Sequence, residues 1–279
     1  MNQEFIFGTV GSPISTPKKP GGSVGAIEQI AALGLQALEL GWVRSVRVSE
    51  DSCAQIKNTA QEKGVSISVH APYFINLNAD DIEWPNSRKR LMDAAFFGNL
   101  AGATDIIFHP GSYFTLPPEA VLPIAIDRLA GCLKELRSMG NQVVLRPETM
   151  GKSAMLGSFD DTLTMATSIP GVEPCVDFAH LHARQGNGSM NSYDEWRTLL
   201  NAYAKSLGGN ALKHMHIHLS GIEYSEKGER NHLPLKESDF DLLGLFRALK
   251  FSGCGGRILC ESPAMEEDAL YMQNTWESL

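Results

Sequence analysis

Eight histidines and a few carboxylates carry the chemistry open to this chain. Glu148 stands in Leu-Arg-Pro-Glu-Thr, Asp177 in Cys-Val-Asp-Phe-Ala-His, and Glu261 in Ile-Leu-Cys-Glu-Ser-Pro. A carboxylate inside or beside an apolar run is unfavourable unless it is paired or bound to a cation. His70, His109, His180 and His218 occupy comparable places, each at or after an apolar run, and His232 lies in the polar stretch beyond the seventh. Imidazole nitrogen with carboxylate oxygen suits Zn2+, with Mn2+ or Fe2+ as alternatives, whereas calcium and magnesium prefer all-oxygen shells. Each residue alone has a plainer reading. His70 or His109 could be a core histidine, Glu148 a partner of Arg146, Asp177 a turn cap, and Glu261 a salt bridge. Taken together, the coincidences at run ends favour a shared metal cluster.

The elements that must position these groups alternate strictly. Strand-like runs cover 5–10, 37–41, 66–70, 105–109, 142–146, 174–178, 214–219 and 257–261. Helical patterns cover 23–33, 50–63, 87–103, 118–138, 159–167, 192–207, 237–251 and 266–278. Ser49, Ser158, Asn191 and Ser238 read as start signals, and Gly64, Gly140, Gly208 and Gly253 as stops. Short Val/Ile-rich strands alternating with helices call for a parallel sheet covered on both faces. No GxGxxG follows the first strand, which counts against an open dinucleotide-binding sheet. Eight units in 279 residues predict the α/β class and a single (β/α)8 TIM barrel, one domain over 1–279. The polar stretch 220–235 reads as a long loop, and none of the histidines falls in a predicted helix. Strand C-terminal ends meet at one barrel mouth, so these side chains would converge there. In His214-x-His216-x-His218 all three rings share one side by period two, so some of them must be structural.

Bulk properties narrow the function classes. Hydrophobic content is 43% and charged content 20%, an ordinary globular mixture. No apolar run reaches the roughly 20 residues of a membrane span, and the start resembles a strand more than an export signal. The expected location is cytoplasmic, and a monomer is the default. Five widely spaced cysteines without a CxxC pair predict reduced, buried thiols. A net charge of −8 lowers the odds of a nucleic-acid partner, although metal-binding carboxylates inflate it.

The motifs resemble the endonuclease IV family of apurinic/apyrimidinic (AP) endonucleases. The likeness runs in order from the third strand: His70-Ala-Pro-Tyr73-Phe74-Ile-Asn-Leu, Phe108-His109-Pro-Gly-Ser, Glu148-Thr-Met-Gly, Asp177-x-x-His180, His218-Leu-Ser and Glu261-Ser-Pro. The resemblance implies three metal ions. His70 and His109 would hold the first, with Glu148 bridging to a second held by Asp177, His218 and Glu261. His180 and His232 would belong to the third. His216 is the alternative to His218, whose following residues match better. Tyr73 and Phe74 match aromatics that enter the duplex at the lesion, and Arg44 and Arg47 could touch backbone phosphate. One departure stands out: the family's Asp-x-His is Arg230-Asn231-His232 here, and Glu229 is one residue off. An arginine cannot ligate a metal, so the third site is expected to be remodelled, weak or empty.

The implied activity is zinc-dependent hydrolysis of the DNA phosphodiester 5′ to an abasic site, a step of base-excision repair, with Glu148 and Glu261 at the reacting centre. The partner would be double-stranded DNA containing abasic sites, and two or three ions the cofactor. Two other readings compete. One is a sugar isomerase or epimerase of the same barrel superfamily, which would use a single metal. The other is a barrel that binds lesions without cutting them.

Overall fold

The computed structural model describes residues 5–279. Residues 1–4, part of the segment read above as lacking an export signal, lie outside the described residues. In chain order the elements are β1 (Phe5–Val10), α1 (Gly22–Ala32), β2 (Ala37–Gly41), α2 (Glu50–Lys63), β3 (Ser66–His70), α3 (Trp84–Leu100), β4 (Asp105–Phe108) and α4 (Pro118–Ser138). Then come β5 (Val144–Pro147), α5 (Phe159–Ser168), β6 (Cys175–Asp177), α6 (Phe178–Arg184), α7 (Tyr193–Leu207) and β7 (Met215–Leu219). The chain ends with β8 (Gly221–Ser225), β9 (Gly228–Leu233), α8 (Leu242–Phe251), β10 (Gly256–Cys260) and α9 (Glu266–Ser278).

Eight parallel strands run in the order β5-β4-β3-β2-β1-β10-β7-β6. The seam between the two end strands is closed by a parallel bridge from Glu148 to Cys175. Thr149 completes the seam: its N–H donates to Cys175 O, and its hydroxyl accepts from Asp177 N at 2.8 Å and donates to Asp177 O at 3.1 Å. The expected (β/α)8 TIM barrel is therefore what the chain forms, and its closure falls beside two of the singled-out carboxylates.

Local signals place most helices. Ser49 accepts from Ser52 N at the start of α2, and Gly64 ends that helix in the left-handed region with φ 67°. Ser158 and Asp161 form a capping box on α5. Two start signals belong to neighbours instead: Ser192 caps α7 and Asp241 caps α8. Asn191 accepts from Asp241 N, while Ser238 accepts from Ile222 N and Phe240 N.

Two expectations are corrected. His180 and His182 lie in a helix, α6, which has no amphipathic period because all seven of its residues are buried. The stretch read as a loop is an antiparallel hairpin, β8–β9, against α6. Its exposed face is polar, so it lacked the alternation of a half-buried strand.

The barrel interior is unusually polar. Layers of Val, Ile and Leu are the norm in such barrels. Here the register sets Cys175, His216 and Arg257 abreast, and Asp177, His218 and Leu259 abreast one layer higher. At the lower end Asp105 pairs with Arg146 and with Arg257, the latter at 3.0 Å. Arg146 also reaches Glu173 at 3.0 Å, so it is not the partner of Glu148. The two guanidinium groups hold Asp105 well below the usual carboxylate range even though burial opposes its charge. All five cysteines are buried and unpaired. Among the described residues no helix is long and apolar enough to cross a membrane.

The Asp105 cluster yields a stability prediction. Asp105→Ala leaves two buried guanidinium groups short of their common partner, which is expected to cost about 3–5 kcal/mol. Urea unfolding should show a lower midpoint with an unchanged slope. A loss below about 1 kcal/mol would contradict the pairing.

Candidate metal centre

Strand and loop geometry brings the singled-out side chains to one mouth. His70 ends β3, His109 follows β4, Glu148 follows β5, Asp177 ends β6, His218 lies near the end of β7 and Glu261 follows β10. His180 comes from α6 and His232 from β9. Together with Glu229, their ligand atoms fall into three groups at the mouth: His70, His109 and Glu148; Glu148, Asp177, His218 and Glu261; and His180, Glu229 and His232; a fourth, Cys175, His216 and His218, lies a layer lower. Glu148 belongs to two groups, as a bridging carboxylate would.

The distances are those of atoms facing a common centre. Glu148 Oε2 lies 3.2 Å from His70 Nε2 and 3.4 Å from His109 Nε2. Glu148 Oε1 lies 3.5 Å from His218 Nδ1, which is 3.4 Å from Glu261 Oε1. His180 Nε2 and His232 Nε2 are 3.2 Å apart, with Glu229 Oε2 3.7 Å from the former and Oε1 3.9 Å from the latter.

Backbone carbonyls, which can only accept, fix where the protons sit. His70 Nδ1 faces Ala71 O at 2.8 Å and His180 Nδ1 faces Thr149 O at 2.9 Å. His232 Nδ1 faces Glu261 O at 3.2 Å. Each Nδ1 can donate there, which turns Nε2 of each ring into the site. His180 Nε2 and His232 Nε2 face each other beside a carboxylate, an arrangement that needs a proton or a cation between them. Glu148 Oε1, Asp177 Oδ2 and His218 Nδ1 are buried with no hydrogen-bond partner. Burying such atoms unsatisfied is unfavourable by several kcal/mol. A divalent cation fits this donor set, and the carbonyls act as the outer partners that orient ligating imidazoles.

The electrostatics agree. Burial opposes charge on Glu148, yet the imidazoles of His218, His109 and His180 hold it well below the ordinary range. Burial alone would lower His180 and His218, but the surrounding carboxylates raise both well above a usual imidazole: Asp177, Glu148 and Glu229 for the former, Glu39, Glu261 and Glu148 for the latter. Burial, with Glu261 and Glu148 nearby, pushes Asp177 up to about 7. The pocket calls for positive charge, which protons and divalent ions compete to supply.

Sequence reasoning missed two carboxylates. Glu229 is odd-numbered and His232 even, so a regular strand would turn them to opposite faces. The β8–β9 register jumps between Glu223, opposite Asn231, and Tyr224, opposite Glu229. Arg230 is the extra residue of this bulge, and it turns outward to Glu223 at 3.4 Å. The bulge shifts the face, and Glu229 reaches the two imidazoles. The third group thus has a carboxylate beside its two imidazoles. The second missed residue is Glu39, in Ala37-Leu-Glu-Leu-Gly41, a carboxylate in an apolar strand like those that were noticed. It lies beneath the centre, against His216 Nε2 at 3.0 Å and His218 Nε2 at 3.1 Å. His216 thus sits a layer below the mouth, and burial pushes it down to about 4.

Other singled-out residues divide. His182 is buried away from the mouth, with Nδ1 on Ser189 O and Nε2 on Asp239, and Tyr224 donates to the same carboxylate at 2.8 Å. That contact anchors the hairpin. His214 lies in the 3-10 turn before β7. Tyr73 stacks on His109 with centroids 4.9 Å apart, and Phe74 is exposed on the same loop. Burial pushes the Tyr73 hydroxyl up to about 12, so it stays protonated. Arg44 and Arg47 are exposed in the loop after β2.

Residues 27–277 match the xylose isomerase-like TIM barrel family. The chain belongs to that family. It is 37% identical to an uncharacterised protein of Methanocaldococcus jannaschii over the full length of both. Endonuclease 4 of Thermus thermophilus is 28% identical over 172 residues, which span 58% of the chain and 60% of that relative. The chain thus aligns with only about three fifths of that enzyme's length. Among solved structures, an endonuclease IV from T. thermophilus superposes with a TM-score of 0.71 at 22% identity, covering 98% of each chain. A D-tagatose 3-epimerase-like protein scores 0.70 at 17% identity, covering 98% of the chain and 96% of its own. At these identities the two structures speak to the fold alone.

The packing around Glu229 gives a sharp test. Gly151 has no side chain, and its carbonyl accepts from Glu229 N. A Cβ at position 151 would lie 2.7 Å from Glu229 Cβ and Oε2 and 3.1 Å from His180 Cδ2. If the three groups hold divalent ions, Gly151→Ala is therefore expected to weaken one of the sites at least about tenfold, since supporting residues carry that much affinity, and to spare the rest. Calorimetric zinc titration checks this, and unaltered binding of every ion would refute it.

Proposed function

We propose that the chain is a metal-dependent phosphodiesterase of the endonuclease IV type, cutting DNA 5′ to abasic sites in base-excision repair. One observation carries this reading: three adjacent donor groups at one mouth, two of them sharing Glu148 and the third adjoining it through His180, whose Nδ1 lies 3.3 Å from Glu148 Oε1. A single-ion isomerase has no use for the third group, in which His180 Nε2 and His232 Nε2 face each other beside Glu229. Likeness in sequence to endonuclease 4 of T. thermophilus supports the same assignment.

His70, His109 and Glu148 would hold one ion, Asp177, His218 and Glu261 with Glu148 a second, and His180, Glu229 and His232 a third, zinc being favoured by the nitrogen-rich donor set. Bound there, the ions would supply positive charge to phosphate oxygens and bring the pKa of a water toward neutrality. The chain's own residues do the rest. Glu148 and Glu261, held by the seam and by β10, fix the negative charge that keeps those ions together. The mouth cavity, about 470 Å³, is lined by Tyr73, His109, His180, Glu229, His232 and Glu261 among others, room for an extruded sugar-phosphate. Tyr73, stacked on His109, forms part of the cavity wall, while Phe74, 63% exposed, projects as a wedge for the base stack. Arg44 and Arg47 would take backbone phosphate, and ion binding would offset part of the net charge of −8 that otherwise repels DNA.

The decisive assay is incision of a duplex bearing one abasic site, with metal content measured on the same sample. Two or three zinc ions per chain and chelator-sensitive cleavage are expected. Metal-replete protein that leaves the duplex intact would end the reading, and about one ion per chain would favour the isomerase. Removing the ions should also lower the melting temperature by several degrees, because ions bind only the folded mouth. Phe74→Ala is expected to weaken abasic-duplex binding about tenfold, the scale of one lost stacking contact, with ion content unchanged. Equal affinity of the variant and the parent in a gel-shift titration would remove the wedge.

A further inference from the structure

Below the mouth, the barrel interior holds a second polar layer that none of the three donor groups accounts for. Glu39 is fully buried there. Its Oε2 accepts from the Ser68 hydroxyl at 2.8 Å and from His216 Nε2 at 3.0 Å. Those two bonds leave the carboxylate with one orientation. Its other oxygen, Oε1, then lies 3.1 Å from His218 Nε2, an ion-pair contact whose angle falls short of a hydrogen bond, and neither of these buried atoms has a hydrogen-bond partner elsewhere. The opposite nitrogen of that ring, Nδ1, faces Glu148 and Glu261. The layer thus runs from Ser68 and His216 through Glu39 to His218, and ends at the candidate centre. A barrel interior needs none of these polar groups for its own packing, since Val, Ile and Leu fill such layers more favourably.

On the metal reading proposed above, we infer that Glu39 is a positioning residue for the second ion: it holds the His218 ring and its proton at Nε2, so that Nδ1 presents its lone pair to the mouth. Ser68 and His216 serve Glu39 in turn. A carboxylate on the far nitrogen of a ligating imidazole fixes both tautomer and ring angle, and makes the ring a better donor. The arrangement differs from the other histidines of the centre, where backbone carbonyls do this work: Ala71 O for His70 and Thr149 O for His180. His218 sits within a barrel strand whose carbonyls are committed to the neighbouring strands, so a side chain must serve. Glu39 comes from the strand across the barrel interior and supplies it.

The test compares wild-type and Glu39→Gln protein, each loaded with Co2+ and then titrated with a chromophoric chelator. Glutamine keeps the shape and the bond from Ser68 but loses the charge on His218. One ion is expected to weaken about 10–100-fold while the others keep wild-type affinity, with a shift in the Co2+ absorption bands. A variant that melts lower yet binds every ion as the parent does, with unchanged bands, would overturn the role of Glu39. Should Glu39→Gln not fold, nitrogen-15 spectra of the wild-type imidazoles decide the matter. A proton on His218 Nε2 in zinc-loaded protein supports the inference, and one on Nδ1 overturns it. Wild-type protein that takes up no divalent ion would sink this inference and the functional reading together, whereas normal loading of both proteins would sink Glu39 alone.

Discussion

A buried carboxylate and an imidazole lone pair repel each other unless a proton or a cation lies between them, and burial strengthens the repulsion because water cannot screen it. The mouth of this barrel concentrates that conflict. Glu148, Asp177, His218 and His180 are almost wholly buried, and contacts of Nδ1 with backbone carbonyls turn Nε2 of His70, His180 and His232 inward. Removing such groups from water is unfavourable in isolation. The fold accepts the penalty at the end where strand termini converge, which is where a parallel barrel can gather side chains from many strands.

The rest of the molecule can be understood as support for that arrangement. The seam between β5 and β6 is closed through Glu148, Cys175 and the Thr149 hydroxyl, so barrel closure and donor placement are one event. Asp177 does two jobs: one oxygen caps α6 by accepting from His180 N, and the other faces the centre. The cap explains why a helix starts immediately after a barrel strand and delivers His180 to the mouth. The hairpin brings Glu229 and His232 from above, anchored through Tyr224, Asp239 and His182. At the lower end, Arg146 and Arg257 are balanced by Asp105 and Glu173 and take no part in the mouth chemistry. Stability and chemistry are thus assigned to opposite ends of the same strands.

Family membership leaves the chemistry open. Barrels that superpose equally well on this chain include an endonuclease IV and an epimerase-like protein. Function on such a scaffold follows from the donor set and the loops around it. Here the distinguishing parts are the third group of donors and the aromatic residues on the loop after β3. The acidic net charge bears on solubility and encounter rates, not on which bond is broken.

Much of this was legible in the sequence for identifiable reasons. Parallel strands buried on both faces read as continuous apolar runs, so all eight barrel strands were found to within a residue or two. A histidine or carboxylate at the end of such a run has few structural uses, which is why His70, His109, Glu148, Asp177, His218 and Glu261 stood out. What escaped lacked a periodic signal. Helix α6 is buried on every side and has no polar face. The hairpin is polar and was read as a loop. Whether His216 or His218 faces the mouth is a matter of depth along one strand, which spacing cannot give. The assignment of Glu229 depended on a bulge at Arg230, because one extra residue reverses the face of everything before it. Residue types and their order determined the fold and most of the donors. Register, depth and one backbone irregularity decided which of them meet, since those depend on strands brought together from distant parts of the chain.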